Sequence, residues 1–264
     1  MDMQKIRINF SDFWPGFNKT DNYFWHLLSK HFDIELSDTP EILFYSVFGS
    51  KFTQYNCLKV FYTGENIRPD FTECDYAFSF DYPVDEKNYR LPIYVLYADV
   101  QTLLEPKSNI EDIIAAKTKF CNFIVSNPYA KRRIEFFHKL SQYKKVDSGG
   151  KVLNNIGGPI VNKWDFIKNY KFTLAFENES YPGYTTEKIF EPMLFHSIPI
   201  YWGNPLVERD FNPRSFINYH DYNNDEDVID QIIAIDNDSD LYRKYLSQPY
   251  YKNNEINEYA NPDN

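Results

Sequence analysis

One stretch of the chain, Lys171–Gly203 (KFTLAFENESYPGYTTEKIFEPMLFHSIPIYWG), gathers most of the side chains that could do chemistry. Its strand-like and helix-like segments would bring Glu177, Asn178, Tyr184, Glu187 and Lys188 to one place. Lys188 falls in the first turn of a helix, where free amides and the dipole attract an anion. That dipole supplies only about 0.3–1 kcal/mol at an exposed site, so a leaving diphosphate needs cations beside it. Arg133 is the second candidate cation, although beside Lys131 and Arg132 it also reads as part of an exposed helix face. Lys188 likewise reads as a surface partner of Glu187 or Glu191. Glu65, in Tyr62–Thr63–Gly64–Glu65–Asn66, is the candidate general base, with Gly64 allowing the backbone close to a ligand. The acidic run Asp236–Asn237–Asp238–Ser239–Asp240 holds two Asp-x-Asp patterns of the metal-binding type, but it precedes a helix and reads more simply as an N-cap. His26, His31, His138, His196 and His220 are scattered without zinc spacing, so no metal ligands are assigned.

The elements that must hold these groups alternate between strand and helix. Phe172–Glu177 reads as a buried strand, Pro182–Gly183 as a turn, and a helix starts near Thr185–Thr186. Pro192 should keep that helix short or kinked before the strand Ser197–Gly203. Upstream, strands are expected at Lys5–Phe10, Ile42–Val47, Leu58–Thr63, Tyr76–Phe80, Ile93–Tyr97 and Phe120–Ser126. Helices are expected at Asn22–Glu35, Asn109–Lys117, Tyr129–Tyr143 and Trp164–Tyr170. Downstream come a strand Ser215–Tyr219 and helices Asp225–Ile235 and Leu241–Leu246. Such alternation implies parallel sheets in a Rossmann-like α/β architecture. The glycines and asparagines of Val146–Gly158 suggest a linker, which divides the chain into domains 1–150 and 151–264. Ligands of open α/β sheets bind at the carboxyl ends of strands. Glu65, Ser126–Asn127 and Glu177–Asn178 all follow expected strands.

Composition narrows the function further. At 264 residues and 43% hydrophobic, the chain can bury a sizeable core. Its net charge of −10 argues against a nucleic-acid partner. No apolar run approaches the roughly 20 residues of a membrane span, and MDMQKIRINF lacks the core of a signal peptide. Cys57, Cys74 and Cys121 show no paired spacing, so a reduced, cytoplasmic setting is expected. Aromatic residues make up 19% of the chain, which suits either sugar stacking or a plain compositional bias.

FENESYPGYTTEKI followed by SIPIYWGNP resembles the donor-binding signature of the α-1,3/1,4-fucosyltransferases, above all the bacterial Lewis-antigen enzymes. The resemblance extends to VFYTGENIRPDF, DYAFSFD, the VSN block ending at Arg133, and DFNPRSFINYHD, covering most of the chain in order. It implies a GT-B fold, two Rossmann-like domains with parallel sheets facing a central cleft. The N-terminal domain would bind the acceptor sugar and the C-terminal domain GDP-fucose. Glu65 would deprotonate the acceptor hydroxyl in one inverting displacement. Arg133, Tyr184 and Lys188 would hold the diphosphate and Glu187 the ribose, with Glu177 and Asn178 against the fucose and phosphates. No metal or other cofactor is implied. The implied acceptors are of the galactose–N-acetylglucosamine or lactose type, giving Lewis x-like products. Some bacterial relatives continue into heptad repeats and a basic membrane-binding helix; this sequence stops after Asn264 with neither, which leaves repeat-mediated dimerisation open, and the expected setting is the cytoplasm or the inner face of the membrane, with any peripheral membrane association not encoded in these residues. Use of another nucleotide sugar, or glycan binding without catalysis, remain open as alternatives.

Overall fold

The computed structural model of the protein describes residues 3–97 and 99–261. The chain begins with β1 (Gln4–Ser11), α1 (Tyr23–Leu28), β2 (Phe32–Leu36), β3 (Ile42–Tyr45), β4 (Leu58–Tyr62), β5 (Tyr76–Ser79), β6 (Asn88–Arg90) and α2 (Tyr94–Tyr97). It continues with α3 (Ile110–Ala116), β7 (Lys119–Phe123), α4 (Lys131–Tyr143), β8 (Val146–Ser148), α5 (Lys163–Ile167) and β9 (Tyr170–Phe176). It then runs through α6 (Glu187–Leu194), β10 (Ile198–Trp202), β11 (Ile217–Asn218), α7 (Asp225–Asn237) and α8 (Ser239–Leu246). The chain divides into two compact units, residues 1–96 and 97–264, each built on one sheet. Both sheets are parallel throughout, as the alternation of strands and helices required. No helix among the described residues is long and apolar enough to cross a membrane.

Unit 1 has the strand order β2-β1-β3-β4-β5-β6. Its helical cover is slight, and aromatic side chains take over the task of shielding the sheet. Phe44 stacks on Phe10 at 5.4 Å and on Phe24 at 5.1 Å, and Phe13 stacks on Phe17 at 4.1 Å. Part of the aromatic excess is therefore core filling. Two expectations fail here. The helix expected to reach Glu35 stops at Leu28, and Phe32–Leu36 becomes β2, paired with the edge of β1 from Gln4↔Phe32 onward. Ile93–Tyr97, expected as a strand, contains α2, because Pro92 opens a turn whose carbonyl accepts from Val95 N at 3.0 Å.

Unit 2 has the order β11-β10-β9-β7-β8. The domain boundary expected at residue 150 lies instead between residues 96 and 97. β7, α4 and β8 belong to the second sheet, since β7 pairs with both β8 and β9. The glycine-rich segment that suggested a linker is knitted onto that sheet. A Cβ on Gly150 would come within 2.2 Å of the Val125 carbonyl oxygen, and Asn154 Nδ2 donates to Gly150 O and Gly158 O at 2.9 Å each.

On one face of this sheet α4 packs Phe136, Phe137 and Leu140 against Val228 and Ile232 of α7. A charge cluster fixes the two helices. Asp225, 5% exposed, accepts from Tyr219 Oη at 2.8 Å, pairs with Lys139 at 2.9 Å and is gripped by Arg132. Burial alone would raise its pKa, but Arg132, Lys139 and Tyr219 together hold it at about 2, below the ordinary 3.8. A depressed carboxylate stabilises the fold above its unfolded pKa and loses that contribution as pH falls through its folded one. Asp225→Asn is therefore expected to cost about 1–2 kcal/mol at neutral pH, allowing for solvent around the partly exposed cations. Thermal melts should show the gap to wild type narrowing as pH drops from about 4 towards 2.

Candidate active site

The strand order of unit 2 reverses direction between β7 and β9: from β7 the chain moves outward to β8, from β9 it moves to β10 and β11. A crevice opens at the carboxyl ends of two such strands, where α/β proteins bind nucleotides. Two of the expected residues come from the segments that follow these strands. Arg133 follows β7 on α4, and Glu177 is the residue after β9.

Glu177 is fully buried, its backbone N–H donating to Trp202 O at 2.8 Å. Its carboxylate accepts from Thr186 N at 2.8 Å, from Thr186 Oγ1 at 2.8–2.9 Å and from Lys188 Nζ at 3.0 Å. Thr186 is the N-cap of α6, so one residue starts the helix and anchors the acid. Lys188 Nζ also donates to Thr186 Oγ1 at 3.0 Å and lies 3.6 Å from Glu187. Burial pushes the Glu177 carboxyl up, with Lys188 opposing. Burial would lower the Lys188 ammonium, yet Glu177, Glu187 and Tyr184 together hold it above its ordinary value, so it stays charged. Glu187, although burial works against it, is held low chiefly by Lys188 and Lys163.

Arg133, at 2% exposure, does not lie on an exposed helix face. Its Nη2 donates to Asn127 O at 3.1 Å, while its buried Nε has no hydrogen-bond partner among the described residues. Burial draws its pKa down, and Glu177, Tyr184 and Glu187 lie close enough to oppose this. A buried guanidinium with an unmet donor suits an anion with oxygens to share. Five of the seven expected residues, Arg133, Glu177, Tyr184, Glu187 and Lys188, thus form one electrostatic group. Asn178 is half-buried in the turn after β9. Glu65 belongs to unit 1, exposed at the carboxyl end of β4, where its N–H donates to Thr63 Oγ1 at 3.0 Å.

A second network escaped the sequence reading. Asn204 Nδ2 donates to Thr185 Oγ1 at 2.9 Å, Thr185 Oγ1 donates to Asp210 at 2.7 Å, and Gly183 N donates to Asn204 Oδ1 at 2.7 Å. Asn204 N in turn donates to Tyr201 Oη at 2.9 Å, and that hydroxyl donates to Tyr184 O at 3.3 Å. This ties the Tyr184–Thr186 loop to the end of β10, so the amides at the start of α6 are fixed before any ligand arrives. Only the Gly203–Asn204–Pro205 turn signal hinted at it. The Asp-x-Asp run has structural partners: Asp238 caps α8 by accepting from Asp240 N and Leu241 N, and Asp236 pairs with Lys144 and Lys171.

Gly203 is where this packing is tightest. A Cβ there would meet Glu177 Cγ at 2.3 Å and Tyr201 Oη at 2.7 Å. Gly203→Ala should therefore displace the buried acid that orients Lys188, at a cost of roughly 1–3 kcal/mol. The expected result is a lower Tm, read by thermal melts of the variant beside wild type.

Two family profiles match the chain. One, described as "Alpha-(1,3)-fucosyltransferase FucT N-terminal domain", covers residues 8–97. The other, "Glycosyltransferase family 10 (fucosyltransferase) C-term", covers residues 114–261. The alpha-(1,3)-fucosyltransferase FucT of Helicobacter pylori is 34% identical over 261 residues, 84% of this chain and 55% of that protein. The chain thus spans about half the length of this relative. A Bos taurus 3-galactosyl-N-acetylglucosaminide 4-alpha-L-fucosyltransferase is 30% identical over 147 residues, 53% of this chain and 40% of that protein. A crystal structure of an alpha1,3-fucosyltransferase with GDP-fucose superposes with a TM-score of 0.81 at 28% identity, covering 97% of this chain and 88% of that one.

Proposed function

Because the chain belongs to the glycosyltransferase family 10 fucosyltransferases, we propose that it is an inverting α-1,3-fucosyltransferase that moves fucose from GDP-fucose to a galactose–N-acetylglucosamine or lactose-type acceptor. The observation that carries this reading is the cationic crevice at the β7/β9 strand reversal. There Lys188 is held charged by Glu177 and Glu187, and Arg133 keeps an unmet donor. These two cations and the fixed amides of α6 would meet the charge that builds on the diphosphate as it leaves. Side chains thus take the part a metal plays in other transferases, and turnover is expected to persist in EDTA. Tyr184 would lie along the diphosphate, Glu187 would bind the ribose hydroxyls and Asn178 would border the fucose, while Glu177, expected against the fucose and phosphates, is fully buried and would act behind them by orienting Lys188.

In the reaction, the acceptor 3-hydroxyl oxygen forms a bond to the fucose anomeric carbon as the bond to the β-phosphate oxygen breaks. The hydroxyl proton passes to Glu65, and GDP leaves with the electron pair of the broken bond. The carbon inverts, so a β-linked donor gives an α-fucoside. Incubation with GDP-fucose and N-acetyllactosamine should release GDP and a fucosylated trisaccharide. Absence of transfer to both N-acetyllactosamine and lactose, with stabilisation by a uridine diphosphate sugar in place of GDP-fucose, would overturn the donor and acceptor together.

A further inference from the structure

We propose that a cavity of about 290 Å³ beside α1 in unit 1 is an acceptor subsite that takes the galactose ring, with Trp14 as the stacking platform and Asp21 as the hydroxyl acceptor. The proposal rests on the fucosyl-transfer reading. Trp14, Phe17, Asn18, Asp21, Tyr23 and Leu96 are among the residues that line it.

Trp14 is placed with care for so exposed a residue, at 38%. It opens a turn in which Phe17 N donates to Trp14 O at 3.1 Å, Pro15 comes second and Gly16 third with φ of 84°. That is the residue pattern of a type II turn, which few other sequences adopt without strain. Phe13 and Phe17 then hold the indole in edge-to-face contacts at 5.5 and 5.1 Å. A large aromatic group fixed in this way and left partly bare gives contact area without losing rotamer freedom on binding.

The polar groups around it select a neutral polyol. None of the lining residues is basic, and Asp21 carries a charge, so a phosphate would be repelled. His26 Nε2 engages Asp21 Oδ1 at 2.8 Å, which steadies the carboxylate and leaves Oδ2 to accept from a hydroxyl. Asn18 Oδ1 accepts from Thr20 N at 3.0 Å, which commits its oxygen and turns its NH₂ group to other acceptors. The volume falls at the low end for ligand sites, enough for a sugar ring and too small for a nucleotide sugar. Among common hexoses, galactose fits best, because its axial 4-hydroxyl leaves one face of C–H groups continuous for stacking.

The position agrees with this task. Trp14 follows β1 and Glu65 follows β4, so both lie at the carboxyl edge of the same sheet. Phe13, in contact with Trp14, stacks on Tyr62 at 6.2 Å, and Tyr62 is the last residue of β4.

The test compares N-acetyllactosamine with N-acetylglucosamine as acceptors. Wild type should show a KM at least about tenfold lower for the disaccharide, and Trp14→Ala should erase that advantage while the KM for GDP-fucose holds. Trp14→Phe should restore much of it, and turnover of N-acetylglucosamine should match wild type in both variants, which a purely structural role would not predict. A Trp14→Ala enzyme that keeps the full disaccharide preference would overturn the subsite. Saturation-transfer NMR with methyl β-galactoside reads the subsite without turnover. Signal in wild type that is lost in Trp14→Ala supports it even if no fucose is transferred, whereas no signal in wild type overturns it. Failure of transfer to either acceptor counts against the fucosyl-transfer reading alone.

Discussion

Glu65→Gln is expected to lower fucosyl transfer by about 10²–10⁴-fold, the usual worth of a positioned acid or base, while the affinity for GDP stays at the wild-type level. Glutamine keeps the size and shape of the side chain and removes its ability to take a proton. The residue is exposed, and its backbone is tied by bonds that the substitution leaves alone: Thr63 Oγ1 accepts from its N–H at 3.0 Å, and its carbonyl accepts from Ile67 N at 2.7 Å. A stability change within about 0.5 kcal/mol follows for a surface position of this kind. The measurement is the single-turnover rate beside GDP binding by calorimetry. A rate within a few-fold of wild type would remove Glu65 from the reaction and would direct attention to another acceptor of the proton. A parallel loss of rate and GDP affinity would point instead to a misfolded protein.

What the sequence disclosed depended on how local the cause was. Parallel sheets and the β9–α6–β10 unit were legible because hydrophobic periodicity and turn residues act within a few positions. Thr186 as the start of a helix and Asp238 as an N-cap belong to the same class. The helix expected over Asn22–Glu35 failed because Trp25, Leu28 and Phe32 fit a helical period, whereas the free edge of β1 needed a partner and took Phe32–Leu36. The domain boundary failed for a similar reason. Glycine and asparagine at Gly150 and Asn154 serve close packing and loop hydrogen bonds, and composition cannot tell that from a linker. The true division falls within the short helix after Pro92, in a stretch with no glycine or asparagine to announce it.

The site shows the same split. Lys188 was legible from its place in the first turn of α6. That Arg133 faces inward was not, because Lys131 and Arg132 beside it disguise the one turn of α4 that points to the crevice. Nor did the pattern disclose that Glu177 is wholly buried, or that Asn204 and Asp210 brace its loop. The meeting of Arg133 with this group depends on β7 and β9 being neighbours, a long-range pairing with no local signature, and the bracing on side chains that meet across the ends of β9 and β10. The resemblance to a known family supplied what spacing could not, namely which residues belong to one site.

Lys188→Ala is expected to raise the Kd for GDP by about 10–150-fold, equivalent to the roughly 1.5–3 kcal/mol of a hydrogen bond to a charged group. The variant also separates two roles that the ammonium combines. In the free protein Lys188 neutralises Glu177, which is fully buried and whose carboxyl burial already pushes up. Without the lysine that carboxyl should take a proton rather than remain a buried unpaired anion. A group whose folded pKa is raised keeps its stability below the unfolded value and loses it as pH rises through the folded one. The Tm of Lys188→Ala should therefore fall behind wild type increasingly as pH is raised above about 5. Glu177→Gln gives the contrast. It retains the cation and an acceptor for Thr186, so GDP affinity should drop less than in Lys188→Ala, with the loss arising from poorer orientation of Nζ. If Lys188→Ala reproduces the pH-dependent loss of Tm yet binds GDP as wild type does, Lys188 is a counter-ion for Glu177 alone. Arg133 and the α6 amides would then have to carry the diphosphate between them.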